Sequence, residues 1–427
     1  MSKLELPQSL WAATAAPAPQ TSPLDRDIAV DVAIVGAGYA GLSTALHFAT
    51  VGRTVQVVEA GDIGWGASGR SGGQVIPGIK YDPDDLIKMF GQDAGKRAAA
   101  NFGSTAAKVF ELIDRYKIEC DDTRSGWAQP AHSKVAEAAA RNRCRQWLAL
   151  GADVTELDRD QMAELLGTDV YHGGWIDRRG GGVQPLSYTR GLARAALQEG
   201  AAIATHTRAT SLNRDGANWS IKTDRGPAVT AANVIVCTNA YSKSLWPKLE
   251  QTAIAANSFQ VATKPLSPNL DRLILKDNVV ASDTRRLLAY FRRDRDGRFI
   301  MGGRGTFAEP TTAAEFRHVE RMLARSYPML ADQPIEFRWG GRVAITPDFL
   351  PHLHTPEDGL LFVLGCQGRG VALQSKMGEW VRDYIVSGDP QKLPLPVTDI
   401  SPIPFHALRR LYVAATLSYY KIADVVR

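Results

Sequence analysis

Gly36, Gly38 and Gly41 stand in the run Gly36-Ala37-Gly38-Tyr39-Ala40-Gly41, directly after the apolar segment Asp31-Val32-Ala33-Ile34-Val35. Leu42, Leu46 and Ala49 follow at helical spacing, so the order reads strand, tight turn, helix. A second apolar segment, Thr54-Val55-Gln56-Val57-Val58, ends in Glu59, which lies 59 − 36 = 23 residues past the first glycine. This order suits a dinucleotide. The first glycine permits the turn, the second lets backbone N–H groups approach a pyrophosphate, and the third lets helix and strand pack closely. The helix N-terminus adds partial positive charge, and the acid can accept from a ribose hydroxyl. A bare glycine pattern is weak evidence; between two strands and before an acid it outweighs a purely structural turn.

Beyond Glu59, the segment Gly61 to Gln74 holds eight Gly or Ser among fourteen residues. It cannot be regular helix or central strand, and it must turn sharply or follow a ligand with many backbone donors free. Helical patterns run from Asp84 to about Ile118 and from Lys134 to Leu150, and Pro185 opens another helix that ends at Gly200. Gly173–Asp177 and Gly180–Val183 suggest a hairpin. Asn233-Val234-Ile235-Val236-Cys237 reads as a buried strand, with Thr238 and Asn239 at its carboxyl end where a ligand can sit. From about residue 250 to 336 the pattern becomes that of an antiparallel sheet with helices, including a hairpin from Leu287–Phe291 to Phe299–Met301. The chain then returns with Leu361-Phe362-Val363-Leu364 and Gly365-Cys366-Gln367-Gly368-Arg369-Gly370, opening an amphipathic helix at Val371. This is a second strand–glycine–helix unit. A flavin needs one, because its N1–C2=O edge becomes anionic on reduction and a helix dipole stabilises that charge.

Bulk composition narrows the classes. A chain of 427 residues with 44% hydrophobic composition has room for two lobes, and 50 Lys+Arg against 45 Asp+Glu leaves a mild, scattered +5. No basic block marks a nucleic-acid partner, and none is expected. The four cysteines, Cys120, Cys144, Cys237 and Cys366, are too scattered for a disulfide framework, and a reducing compartment is the simpler setting. No metal site is expected, since His352-Leu353-His354 beside Pro351 reads as a turn. Residues 12–23 read as an extended Pro/Ala arm, with neither a secretion signal nor a transmembrane segment, so a cytoplasmic location is expected.

Together, Trp11-Ala12-Ala13-Thr14-Ala15, Gly66 to Gln74, Tyr290-Phe291-Arg292-Arg293, Gly302-Gly303-Arg304 and Pro402 to His406 make the chain resemble the D-amino acid oxidase superfamily of FAD-dependent amine oxidoreductases. Within it the chain is most similar to the γ-glutamylputrescine oxidase group. One departure is Ser71, where the group usually has Asn. The resemblance implies an α/β fold: a Rossmann-like, glutathione-reductase-type FAD-binding domain with an interleaved α+β substrate domain on an antiparallel sheet. Residues 1–27 would form an arm, 28–90, 155–245 and 337–427 the FAD-binding domain, and 91–154 and 246–336 the substrate domain. It implies that the run Gly36–Gly41, Tyr39 and Ala40 included, holds the pyrophosphate, with Glu59 on the ribose. Ser68, Arg70, Gly73 and Gln74 would lie along the pyrophosphate and flavin. Thr238 and Asn239 would stand near the cofactor, with Gly340, Thr346, Asp348 and the run containing Gly368, Gly370 and Val371 on the ring's pyrimidine side. FAD is expected to be non-covalent. Gly341 stands where some relatives carry the attaching Cys, and residues 61–74 lack the attaching His of others.

The activity so implied is oxidation of a C–N bond by hydride transfer to flavin N5, leaving an imine that water hydrolyses to an aldehyde plus amine or ammonia. Positioning of a neutral amine would then supply much of the catalysis. Trp65, Tyr290, Trp339 and Arg304 are the candidate site-lining residues, the aromatics offering a wall for an alkylammonium. The substrate would be an amine, a γ-glutamylated polyamine derivative among the candidates. The alternative is a D-amino or N-methyl amino acid, for which Arg292, Arg298 or Arg304 would have to form a carboxylate fork. Ile300 stands where sarcosine oxidases place a Lys near oxygen, so the acceptor is oxygen or another electron acceptor.

Overall fold

The computed structural model describes residues 4–242 and 245–426. Two eight-stranded sheets carry the architecture. In the first, Leu360–Leu364, Ala228–Val236, Ile28–Val35, Val55–Val58 and Ala202–Ala204 lie side by side and parallel. His352–Glu357 adds an antiparallel edge, and the hairpin of Ala209–Asp215 and Asn218–Thr223 extends from Ala228–Val236. Parallel strands covered on both faces need apolar residues on both sides, which is why Val32 to Val35 and Val55 to Val58 do not alternate. Helices Tyr39–Ala49, Thr105–Tyr116, Pro185–Gln198 and Gly370–Ser387 cover one face through Leu42, Val109, Leu192 and Leu373. Trp219, Ile221, Val229 and Phe362 fill the other.

The second sheet runs Ile335–Ile345, Ile254–Pro265, Arg298–Arg304, Tyr290–Arg293, Val280–Ser282, Trp127–Pro130, Gly174–Asp177, Val154–Leu157. It is antiparallel except where Val280–Ser282 meets Trp127–Pro130. Here the residues do alternate. Phe259, Val261, Phe291, Phe299 and Met301 turn toward Val319 and Leu323 of the helix Arg317–Ser326. The register puts Ser258, Gln260, Ala262, Tyr290, Arg292, Ile300, Gly302, Arg304, Trp339 and Gly341 on the opposite face. That face meets the glycine-rich segment 61–74.

The α/β class with an interleaved antiparallel lobe is what the structure shows, but the lobe boundaries differ from those read in the sequence. Val154–Leu157, Gly174–Asp177 and the strand Ile335–Ile345 belong to the second sheet, not to the cofactor lobe. Helices Gln92–Gly103 and Thr105–Tyr116 pack through Phe102 and Val109 into the core of the first lobe, not the second. The hairpin expected at 173–183 is absent. Gly174–Asp177 pairs with Trp127–Pro130 and Val154–Leu157, whereas Gly181–Gly182 pairs with Gln74–Val75. Long-range pairing decides sheet membership, and local periodicity carries no record of it. Among the described residues no helix is long and apolar enough to cross a membrane.

The two glycine-led helices, Tyr39–Ala49 and Gly370–Ser387, lie directly against one another. A Cβ on Gly378 would run into the backbone of Ser43 and Thr44, and the Ser43 hydroxyl donates to the Ser375 carbonyl at 2.5 Å. Nearby, Glu379 accepts from Lys108 at 2.5 Å and from Lys376, with His47 at 3.8 Å, which ties both helices to Thr105–Tyr116. Burial opposes the Glu379 charge, yet the hydrogen bonds from Lys108 and Lys376 outweigh it and draw the carboxyl down to about 2. Burial lowers His47 to about 4, so it is neutral at pH 7. Both folded-state values lie below the ordinary ones, so both contributions are lost on acidification. His47 acts between pH 6.5 and about 4, and Glu379 between 4.5 and about 2. The melting temperature should therefore fall in two overlapping stages below pH 6.5, and Glu379→Gln should flatten the lower one. An unchanged acid limb in that variant would remove Glu379 from the account.

Candidate cofactor and active site

Gly36 turns the chain at φ 108°, and a Cβ there would press on the Cys237 carbonyl at 3.2 Å. Gly41 has no room at all, because a Cβ would collide with the Gly36 carbonyl oxygen. The Ser68 hydroxyl takes the Tyr39 N–H at 3.0 Å, while the Ala40 and Gly41 N–H groups have no acceptor among the described residues. Across the sheet, Gly370–Ser387 likewise starts without a side-chain cap. Both starts are buried, Ala40 being 8% and Val371 3% exposed. A buried helix start without a cap leaves donors that a ligand can satisfy, and here two of them open at the carboxyl ends of the parallel strands Ile28–Val35 and Leu360–Leu364, which flank Ala228–Val236. Asn239 joins them, its side-chain oxygen accepting from Gly365 N–H at 3.0 Å, and Thr238 beside it bonds Ser242 at 2.6 Å. The donor set and the glycine cradle fit a dinucleotide pyrophosphate and, at the second helix, a ring that becomes anionic.

Glu59 accepts from Ala37 N–H at 2.7 Å and from Gly61 N–H at 2.8 Å. Burial raises its pKa and these two donors oppose the rise. The carboxylate therefore fastens the glycine turn from the end of the second strand. Tyr39 contributes no free polar group. Its N–H goes to Ser68 and its hydroxyl donates to the Ser68 carbonyl at 2.7 Å.

The segment from Ser68 to Gln74 is held from outside by its carbonyls. Trp339 Nε1 and Gln260 Nε2 donate to the Arg70 carbonyl at 3.1 and 2.6 Å, and Arg292 donates to that of Gly73 at 3.0 Å. Arg70 is buried, lies 4.7 Å from the centroid of the Trp65 ring and donates through Nε to the Trp65 carbonyl at 2.8 Å. It has no carboxylate partner among the described residues, so the alternative of a surface ion pair falls away. The Gln74 amide donates to the Ala281 and Phe291 carbonyls, so its N–H groups brace the second sheet.

Three of the four candidate lining residues come together: Tyr290, Arg304 and Trp339 share the sheet face that meets residues 68–74. The Tyr290 ring lies over Gly72 and Gly302, and its hydroxyl bonds Ser258 at 2.7 Å. Burial raises its pKa, so the phenol stays protonated and is no base at neutral pH. Trp339 is buried edge-to-face against Trp11 at 5.8 Å, supporting the segment instead of forming an open wall. Trp65 stands apart, bonded to the Glu5 carbonyl and edge-on to Tyr241. Gly340 pairs with Phe259 and faces the core of the second lobe; its neighbour Gly341 faces Arg70 instead. Gly368, at φ 80°, and Gly370 lie in a run that Gln367 bonds to Thr346 and Leu350. The Asp348 carboxylate bonds Leu350 N–H and His352 within the same turn. Ser258, Gln260 and Trp11 were missed. The signal for the first two was present, since polar Ser258 and Gln260 alternate with apolar Phe259 and Val261.

Residues 31–384 match the family described as DAO, FAD dependent oxidoreductase, and the chain belongs to it. It is thus an FAD-dependent oxidoreductase of amines or amino acids. It is 29% identical to the gamma-glutamylputrescine oxidoreductase of Escherichia coli, over 97% of this chain and 98% of that one. A probable oxidoreductase, OrdL, of Haemophilus influenzae is also 29% identical, over 96% and 95%. Among solved structures, the glycine oxidase of Geobacillus kaustophilus superposes with a TM-score of 0.71 at 20% identity, over 84% of this chain and 95% of that one.

Proposed function

We propose that the protein oxidises the C–N bond of an amine that carries a carboxylate away from the reacting nitrogen, a γ-glutamylated polyamine derivative being the best-supported choice. The observation that carries this reading is the state of three arginines. Arg292 is buried and bonded to the Gly73, Val183 and Arg293 carbonyls. Arg298 is paired with Asp294, Asp296 and Glu336. Neither Arg292 nor Arg304 has a carboxylate partner among the described residues, but Arg304 alone of the three also has no carbonyl acceptor there, and its buried Nε is unsatisfied. Burial lowers its pKa, but an arginine keeps its charge at neutral pH, and a planar fork suits a carboxylate. The name of the Escherichia coli relative points the same way, since a γ-glutamyl amine has an amine at one end and an α-carboxylate at the other.

When bound, FAD supplies the two-electron acceptor for the hydride that leaves the carbon next to nitrogen. The chain's own part is to position the substrate. Arg304 lies two residues from Gly302 on one strand, about 7 Å away, so a carboxylate held there directs the rest of the molecule toward Tyr290 and residues 70–73. Among the described residues no group on this face is a base at neutral pH, so the amine reacts as the free base and desolvation favours that form. The imine leaves to be hydrolysed by water.

FAD released by acid precipitation would support non-covalent attachment; yellow colour kept in the pellet would overturn it. Anaerobic flavin reduction should be faster with γ-glutamylputrescine than with putrescine, sarcosine or D-alanine. If a free amino acid is at least tenfold faster than every amine, the amino-acid alternative replaces this reading, with Arg304 serving an adjacent carboxylate.

A further inference from the structure

The N-terminal arm packs against the site through a short helix. Ser9 caps the short helix Leu10–Thr14 through Ala12 N–H, and that helix seats Trp11 at 1% exposure among Leu186, Ala262, Ile300 and Trp339. Gln184 Nε2 donates to the Trp11 carbonyl at 2.9 Å, fixing the helix from behind. The indole Nε1 of Trp11 donates to the Ser71 carbonyl at 2.8 Å. With Trp339 and Gln260 on the Arg70 carbonyl, two successive carbonyls are tied back toward the second sheet and the arm. A trans peptide points its C=O and the following N–H in opposite directions. The Ser71 and Gly72 N–H groups therefore point away from the arm, and neither has an acceptor among the described residues.

We infer that Trp11 is a positioning residue for the flavin: it sets the orientation of the Ser71–Gly72 peptide so that its N–H dipole meets the ring. The inference rests on the reading that the ring lies along residues 68–74. A fixed donor at the ring stabilises added electron density, so loss of the Trp11 anchor disfavours the reduced flavin. Ser71 in place of the group's usual Asn leaves a short hydroxyl there, and the backbone becomes the main donor.

The test is Trp11→Phe in the holoenzyme, which removes the N–H and keeps the ring. The expected result is a displaced visible flavin band. The oxidised-to-reduced equilibrium should shift about tenfold toward oxidised, or about 30 mV for a two-electron couple. Flavin reduction should slow while the half-saturating substrate concentration stays unchanged. Should Trp11→Phe lose its flavin on purification, Ser9→Ala, which loosens the helix without touching the segment, should shift the potential in the same direction. A wild-type band and potential, even with a lowered melting temperature, would make Trp11 structural only and overturn the inference. Wild-type protein that binds no FAD would instead overturn the cofactor site.

Discussion

Gly41→Ala should give a colourless protein. The added methyl meets the Gly36 carbonyl oxygen, a backbone atom that cannot rotate away, so the first turn of Tyr39–Ala49 has to move off the strand. Overpacking of this kind costs about 1–3 kcal/mol. The larger effect is that the free Ala40 and Gly41 N–H groups leave the position where a pyrophosphate would accept from them. Loss of two or more charge-assisted hydrogen bonds at about 1.5–3 kcal/mol each weakens FAD binding by at least roughly a hundredfold. The check is FAD stoichiometry after purification, then titration of apoprotein with FAD followed by fluorescence quenching. A wild-type dissociation constant would remove this helix start from the cofactor site.

Arg304→Met should divide the substrates into two classes. With a carboxylate-bearing amine, truncating one partner of a buried charge pair costs about 2–4 kcal/mol, roughly 30- to 1,000-fold in kcat/KM. Putrescine, which has no carboxylate, should change by no more than about threefold. Arg304→Lys should recover only part of the loss, because an ammonium cannot donate bidentately. Equal losses with both substrates would show that Arg304 supports the sheet and does not recognise the substrate. The comparison is informative because, among the described residues, Arg304 forms no ion pair whose removal would by itself unfold the site.

The cofactor end of the site was legible in the chain because its constraints are local. Gly36, Gly38, Gly41 and Glu59 lie within one strand–turn–helix–strand unit, and the backbone conformations they permit depend on neighbours a few residues away. Even there the reading was incomplete. The Gln74 amide is taken up by carbonyls of the second sheet and Gly340 lies against Phe259, while Tyr39 and Glu59 hold the loop together with groups expected to be free for the ligand.

The substrate end is different in kind. Whether Arg292, Arg298 or Arg304 serves a ligand depends on which acceptors the fold brings to each, and all three look alike in sequence. Tyr290, Arg304 and Trp339 share a face only because Ile254–Pro265, Tyr290–Arg293, Arg298–Arg304 and Ile335–Ile345 pair in one register, and a slip of one residue would reverse every side chain. Trp11 reaches Ser71 across 60 positions of sequence. By itself the sequence determined a dinucleotide cradle and the α/β class, since turn geometry and periodicity are properties of short segments. Tertiary structure alone decided which arginine is left without an acceptor among the described residues, which lobe each strand joins and where the arm packs, because pairing and burial are set by residues far apart in the chain.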